Sequence, residues 1–181
     1  IWDPARISKS PAIFDPLKLR AINAAYIRAL PAEEFRKLAD SFIDQAVHVQ
    51  IDRDLLCANL QPRCEVLEDI PPQLDFFDAV LPIDAEMYRN KKQKTTPESA
   101  KEALSALLPV LEAQTDWSRD AIFEACKQKA EAMEKKNGWL LFPLGIALSG
   151  KARTPGGGTD LAAMMGKEET LRRLNAAIEA L

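Results

Sequence analysis

The chain has one histidine, His48, and three cysteines, Cys57, Cys64 and Cys126, among 181 residues. None of the cysteines falls in a C-x-x-C, and one histidine does not complete a zinc set, so no metal site is assigned. Three cysteines cannot all pair; they are read as reduced core thiols of a cytoplasmic protein. No apolar run reaches the roughly 18 residues that a membrane-spanning helix needs. There is no initiator Met and no basic-then-apolar leader, and a chain that begins at Ile1 reads as a piece of a longer protein. An excess of positive charge is also missing. The formal net charge of −3 argues against a uniformly basic, sequence-blind nucleic-acid surface, while leaving room for a localised basic face.

What is present is a core's worth of apolar residues, 47%, with seven Gly against twelve Pro. That balance favours short helices punctuated by proline over a sheet of alternating β-branched residues, and it excludes disorder. Leu19, Ile22, Tyr26 and Leu30 recur at helical spacing within FDPLKLRAINAAYIRAL and mark one apolar stripe. Pro31 opens a second helix with Glu33 and Glu34 in its first turn, where the helix dipole favours acids, and with Phe35, Leu38, Phe42 and Ile43 as its buried face. A third helix covers Asp52 to Leu60 and is interrupted at Pro62. A further helix is expected over 66–81, starting after Pro71-Pro72 and carrying Phe76 and Phe77.

The polar stretch PIDAEMYRNKKQKTTP, 82–97, reads as a connector and as the best domain boundary. Thr96 followed by Pro97 launches a helix over Glu98 to Ala113, and Ser118 caps the next, which turns Ile122, Cys126 and Met133 inward and ends at Asn137-Gly138. WLLFPLGIALS, 139–149, is a buried element whose type periodicity does not decide. Thr159 is expected to cap DLAAMM; Gly166 breaks the chain before a final helix lined by Leu171, Leu174, Ile178 and Leu181.

Three stretches invite a chemical reading. R-I-S-K-S, 6–10, is one step from the K-M-S-K-S loop with which class I aminoacyl-tRNA synthetases handle ATP. That loop requires a nucleotide fold and an H-I-G-H-type partner upstream, and neither is present, so Lys9 is a solvated lysine rather than an ATP ligand. GKARTPGGGTD, 150–160, has the wrong order for a phosphate-cradling loop. It reads as a flexible connection between buried elements, in which Lys151 and Arg153 beside exposed glycine backbone can also approach an RNA backbone. Arg63 follows a proline at a helix end, so its side chain projects from the element, a posture suited to hydrogen-bonding a splayed base. RNKKQK, 89–94, is first a solvated linker and second a phosphate contact. Trp117, Trp139, Phe142, Phe76 and Phe77 sit in apolar company and are read as core; His48 is structural.

Taken in series, ISKSPAIFDPLKLRAINAAYIRAL, LQPRCEVLEDI, TDWS, PLGIALSGKARTP and GKEETLRRL resemble the C-terminal, anticodon-binding part of bacterial glutamyl-tRNA synthetase over nearly the whole chain. The resemblance implies an all-α fold. A linker segment, 1–30, leads into two consecutive helical modules, 31–94 and 95–181. It implies a monomer whose partners are tRNA(Glu) and the catalytic domain of the same parent protein. The parent would use ATP and Mg2+, whereas this piece would hold no cofactor and catalyse nothing. By the same resemblance Arg63 reads the third anticodon base, a cytosine whose O2 and N3 accept from its fork of donors. Thr154 and Pro155 lie near the first two bases, with Lys151 and Arg153 in the same loop.

This chain departs from the resemblance at three places. Gly145 stands where relatives usually carry an arginine after Pro-Leu, Gly156 to Gly158 follow Pro155 in place of a bulkier residue, and Glu65 replaces a lysine. These departures predict weaker recognition, weighted towards the third base. The rival reading is a helical protein-interaction or adaptor module whose basic residues are merely solvated.

Overall fold

The computed structural model describes residues 14–181; R-I-S-K-S and Lys9 lie outside the described residues. Among the described residues eight α-helices follow one another: α1 (Pro16–Ala29), α2 (Ala32–Ile43), α3 (Arg53–Leu60), α4 (Pro97–Ala113), α5 (Arg119–Ala132), α6 (Asn137–Ser149), α7 (Gly158–Met165) and α8 (Lys167–Ala180). The one β pairing among the described residues is an isolated bridge between Asn90 and Thr95. The all-α expectation holds, for local reasons that the sequence carries. Asp15, Asp52, Thr96 and Ser118 each accept a backbone N–H of the helix that follows, and Pro16 and Pro97 occupy positions where a missing N–H costs nothing.

WLLFPLGIALS resolves as helix α6. It is apolar on every side because α4, α5, α7 and α8 all pack around it. Asn137-Gly138, expected to end α5, instead begins α6; α5 stops at Ala132 and the chain turns through Glu134 at φ 53°. The cap of α7 is Gly157 rather than Thr159, because Asp160 reaches back to the Gly157 N–H at 2.7 Å while Thr159 is buried. No α-helix forms over 66–81. Prolines 71 and 72 cannot donate to a helical ladder, so the segment folds as two 3₁₀ turns, Leu67–Asp69 and Pro71–Gln73, followed by tight turns that still bury Phe76 and Phe77.

The stripe on α1 is not the face the fold covers. Ala24 and Ile27 are buried, whereas Leu17 and Tyr26 are 78% and 73% exposed and Leu19 and Ile22 are also open. On α2 the covered residues are Phe35, Ala39 and Ile43, with Leu38 exposed. The connector 82–97 is more structured than its polarity implies. Ala85–Tyr88 form a 3₁₀ turn, Tyr88 is buried, and Thr95 donates its hydroxyl to the Tyr88 carbonyl at 2.7 Å.

Buried residues from both sides of that connector belong to one hydrophobic cluster, and Arg173 on α8 clamps them. Although only 1% exposed, its guanidinium donates to the carbonyls of Phe76 (2.7 Å), Phe77 (2.8 Å) and Leu148 (2.7 Å) and to Glu169 Oε1 (2.5 Å). Hydrogen bonds from Arg172, and then from Arg173, hold the Glu169 carboxyl below its ordinary range. A carboxyl depressed in the folded state contributes stability that is complete above its unfolded value and is lost as pH falls through the folded one. Urea unfolding followed from pH 6 to pH 3 is therefore expected to fall more steeply for the wild type than for Glu169→Gln; parallel curves would rule this contribution out.

The three thiols are buried and unpaired. Burial pushes Cys57 and Cys64 up to about 11 and Cys126 up to about 12, so they stay protonated near neutrality and act as core residues.

Candidate functional site

Where α3 breaks, the chain makes one 3₁₀ turn, Gln61–Arg63, and Cys64 is pulled into the core. The proline-induced break therefore leaves Arg63 exposed, and among the described residues it has neither an ion pair nor a side-chain hydrogen bond. The arginine forms one wall of an open cleft of about 490 Å³. Phe142 and Gly145 of α6 and the 151–158 loop, Pro155 excepted, line it as well.

Of the residues singled out in the sequence, Arg63, Lys151, Arg153 and Thr154 line this cleft together, although Arg63 lies far from the other three in the chain. Pro155 does not join them: it is buried beneath the loop. The polar members differ in availability. Arg63 and Arg153 are exposed, and their guanidinium groups are free among the described residues. Lys151 is already engaged, donating to the Pro72 carbonyl at 2.9 Å and pairing with Asp75. Its ammonium ties the loop to the Pro71–Gln73 turn on the side of the cleft that carries Gln73. Thr154 donates its hydroxyl to the Gly156 carbonyl at 2.6 Å, which leaves its oxygen able to accept from a ligand.

Three features escaped the sequence reading. Phe142, grouped there with the core aromatics, is only half-buried and presents part of its ring to the cleft, whereas Phe76, Phe77 and Trp139 are indeed buried. Gly145 and Gly158 meet face to face. A Cβ on Gly158 would lie 2.8 Å from the Leu141 carbonyl oxygen and 3.0 Å from the Gly145 nitrogen, so the start of α7 can approach α6 only as glycine. The loop is also pinned at its far end. Asp160 accepts from the Gly157 N–H at 2.7 Å and from Arg119 Nε at 3.0 Å. The glycine run is thus held by contacts with α6 and Asp160, and the signal for this, an aspartate at the third position of a helix, was present in the sequence.

The remaining motif residues are structural. Trp117 of TDWS donates its indole N–H to the Ala162 carbonyl at 2.9 Å, and Ser118 caps α5. His48 is exposed and paired through Nδ1 with Asp78, whose carboxylate also accepts the His48 backbone N–H at 2.7 Å. No group of three or more His, Cys, Asp or Glu side chains is placed to hold a metal ion among the described residues, and no helix there is long and apolar enough to cross a membrane.

The module is all-helical and carries an open cleft lined by two uncommitted guanidinium groups and a half-exposed aromatic, groups of the kind that contact phosphates and stack on planar bases. Comparison with known proteins makes that reading specific. The family model described as the anticodon binding domain matches residues 20–178, and the chain belongs to that family. It is 42% identical over 175 residues to a glutamate–tRNA ligase of Clostridium botulinum, covering 97% of this chain and 36% of the relative. It is 41% identical over 182 residues to that of Clostridium acetobutylicum, covering all of this chain and 38% of the relative. Among solved structures it is similar to a glutamate tRNA ligase from Elizabethkingia meningosepticum in complex with its amino acid, with a TM-score of 0.83, 27% identity and coverage of 99% of this chain and 35% of that one. The chain thus spans a little over one third of the length of the relatives it matches.

Proposed function

We propose that this chain reads the anticodon of tRNA(Glu) as the C-terminal part of a glutamate–tRNA ligase that works as a monomer in the cytoplasm. The ligation itself, with its ATP and Mg2+, belongs to the part of such a protein that this chain does not include, so these 181 residues bind and select but do not catalyse. The observation that carries the reading is Arg63, an unpaired guanidinium among the described residues, which lines an open cleft together with Phe142, Gly145 and Thr154.

The cleft supplies selection in physical terms. A cytosine turned into it presents O2 and N3 to the Arg63 fork, two acceptors matched to two donors, whereas a guanine entering by the same edge presents its N1–H and N2–H groups, which cannot accept from Arg63. Phe142 offers a face on which a base can stack. Thr154 can accept from an exocyclic amino group. Gly145 contributes no side chain, and Pro155 lies under the loop, so the first two bases meet fewer directional partners than the third.

Binding of anticodon stem-loops by the 181-residue chain, measured at fixed salt, tests this reading. Affinity for the cognate loop is expected to be micromolar or weaker, in the range of largely electrostatic binding. Changes at the third base should weaken it more than changes at the first. Arg63→Ala should weaken it by roughly 10- to 100-fold and abolish discrimination at the third base. If loops changed at the first base differ more, third-base weighting is wrong. If no loop binds above a scrambled RNA, the chain is not an anticodon reader, and the adaptor role replaces this one.

A further inference from the structure

The lysine-rich stretch at 91–94 is a built turn rather than a loose linker. Asn90 and Thr95 exchange backbone hydrogen bonds at 3.0 and 3.1 Å, and Asn90 Oδ1 accepts the N–H groups of Lys92 (2.9 Å) and Gln93 (3.1 Å). Lys94 sits at φ 57°, which closes the turn. Inside it Gln93 is partly covered, and its amide occupies the space where a side chain at Gly138 would stand, so the turn rests directly on the first turn of α6.

That contact joins two basic segments distant in sequence. Lys135 and Lys136 immediately precede α6, both exposed, with the Lys135 ammonium 5.1 Å from the centroid of the Trp139 ring. Lys91, Lys92 and Lys94 are exposed on the turn. None of the five is in an ion pair among the described residues, where the paired lysines are Lys127 and Lys151. Neighbouring Arg89, by contrast, is taken up by Glu86 at 2.7 and 2.9 Å. Glu134, beside Lys135, is the carboxylate nearest in sequence and leaves the local balance strongly positive, in a chain whose net charge is −3.

The position of the patch gives it meaning. Gly138, Phe142 and Gly145 are spaced by four and three residues and so share one face of α6. The Gln93–Gly138 contact therefore places the lysine turn on the face that forms the cleft wall, about 10 Å along the axis from Gly145. We infer that Lys91, Lys92, Lys94, Lys135 and Lys136 form a second RNA-contacting surface, which holds the phosphate backbone of the strand whose bases enter the cleft. This inference rests on the anticodon reading above. It assigns the patch to positioning and affinity, because ammonium groups on an open surface neutralise phosphates without reading bases.

The test uses Lys91→Gln/Lys92→Gln/Lys94→Gln and Lys135→Gln/Lys136→Gln in the 181-residue chain, with stem-loop affinity measured from 0.05 to 0.3 M salt. Removing three phosphate contacts should flatten the slope of log affinity against log salt by about 2, and weaken binding at 0.1 M salt by at least about 10-fold, equally for cognate and altered anticodons. Lys91, Lys92 and Lys94 are exposed and in no ion pair, so the melting temperature of the triple variant should not change, while the double variant gives up only the Lys135 contact with the Trp139 ring. If affinity and slope stay at wild-type values while Arg63→Ala still loses third-base discrimination, the patch is merely solvated and the anticodon reading stands. If the loss depends on the anticodon sequence, a backbone role is also excluded. If the wild-type chain binds no stem-loop, both this inference and the reading beneath it fall.

Discussion

Arg173→Ala is expected to lower the melting temperature of this chain by about 10 °C. Among the described residues the arginine is the one charged side chain in the group buried most completely, and it links three parts of the chain through the carbonyls of Phe76, Phe77 and Leu148. Truncation leaves those three carbonyls without their donor, and each unsatisfied buried group costs about 1–3 kcal/mol. The combined loss is about 3–5 kcal/mol, the lower part of the range for three such groups, and for a domain of this size each kcal/mol moves the midpoint by about 2–4 °C. Glu169 is not stranded by the change, because Arg172 still donates to it at 2.6 and 2.7 Å. Arg173→Lys should recover only part of the loss, since one ammonium cannot reach three carbonyls in a planar fork. Calorimetric melts of the two variants check this; an alanine variant that melts within about 2 °C of wild type would show that the three carbonyls find other partners.

Gly158→Ala is expected to cost about 1–3 kcal/mol and to weaken RNA binding along with it. The added carbon would meet the Leu141 carbonyl oxygen at 2.8 Å and the Gly145 nitrogen at 3.0 Å, both backbone atoms of a buried helix that cannot rotate away. Relief requires α7 to back off from α6, and that movement shifts the 151–158 rim of the cleft. Gly157→Ala is the control. Its nearest neighbour would be Asp160 Oδ2 at 3.4 Å and its φ is −77°, so alanine fits there without strain. Thermal melts and stem-loop titrations of the pair separate the two effects. Equal behaviour of the Gly157 and Gly158 variants would mean that the close approach of the helices does not shape the site.

Both substitutions fall at positions that local pattern does not reveal. Arg173 sits within GKEETLRRL, where adjacent arginines look alike; Arg172 faces solvent and Arg173 the interior. Only the packing of α8 onto the Phe76–Phe77 turn distinguishes them. The apolar stripe of α1 shows the same limit from the other side: spacing identified a real stripe in Leu19, Ile22 and Tyr26, but the described fold covers Ala24 and Ile27 instead. Periodicity reports that a face is apolar and says nothing of which surface lies against it.

By itself the sequence determined the helical class, most helix starts and the exposed posture of Arg63, because caps, prolines and 3.6-residue periodicity act over a few residues and are written into them. The ordered landmarks also pointed to the anticodon-binding family, which the comparisons then showed. Tertiary structure alone decided that 66–81 makes turns and not a helix, that Pro155 lies beneath its loop, that Phe142 faces the cleft, and that the 91–94 turn rests on Gly138 beside Lys135 and Lys136. Each of these depends on contacts between residues far apart in the chain, whose formation is governed by the space and hydrogen-bonding groups that other elements leave open, and no local pattern records that space.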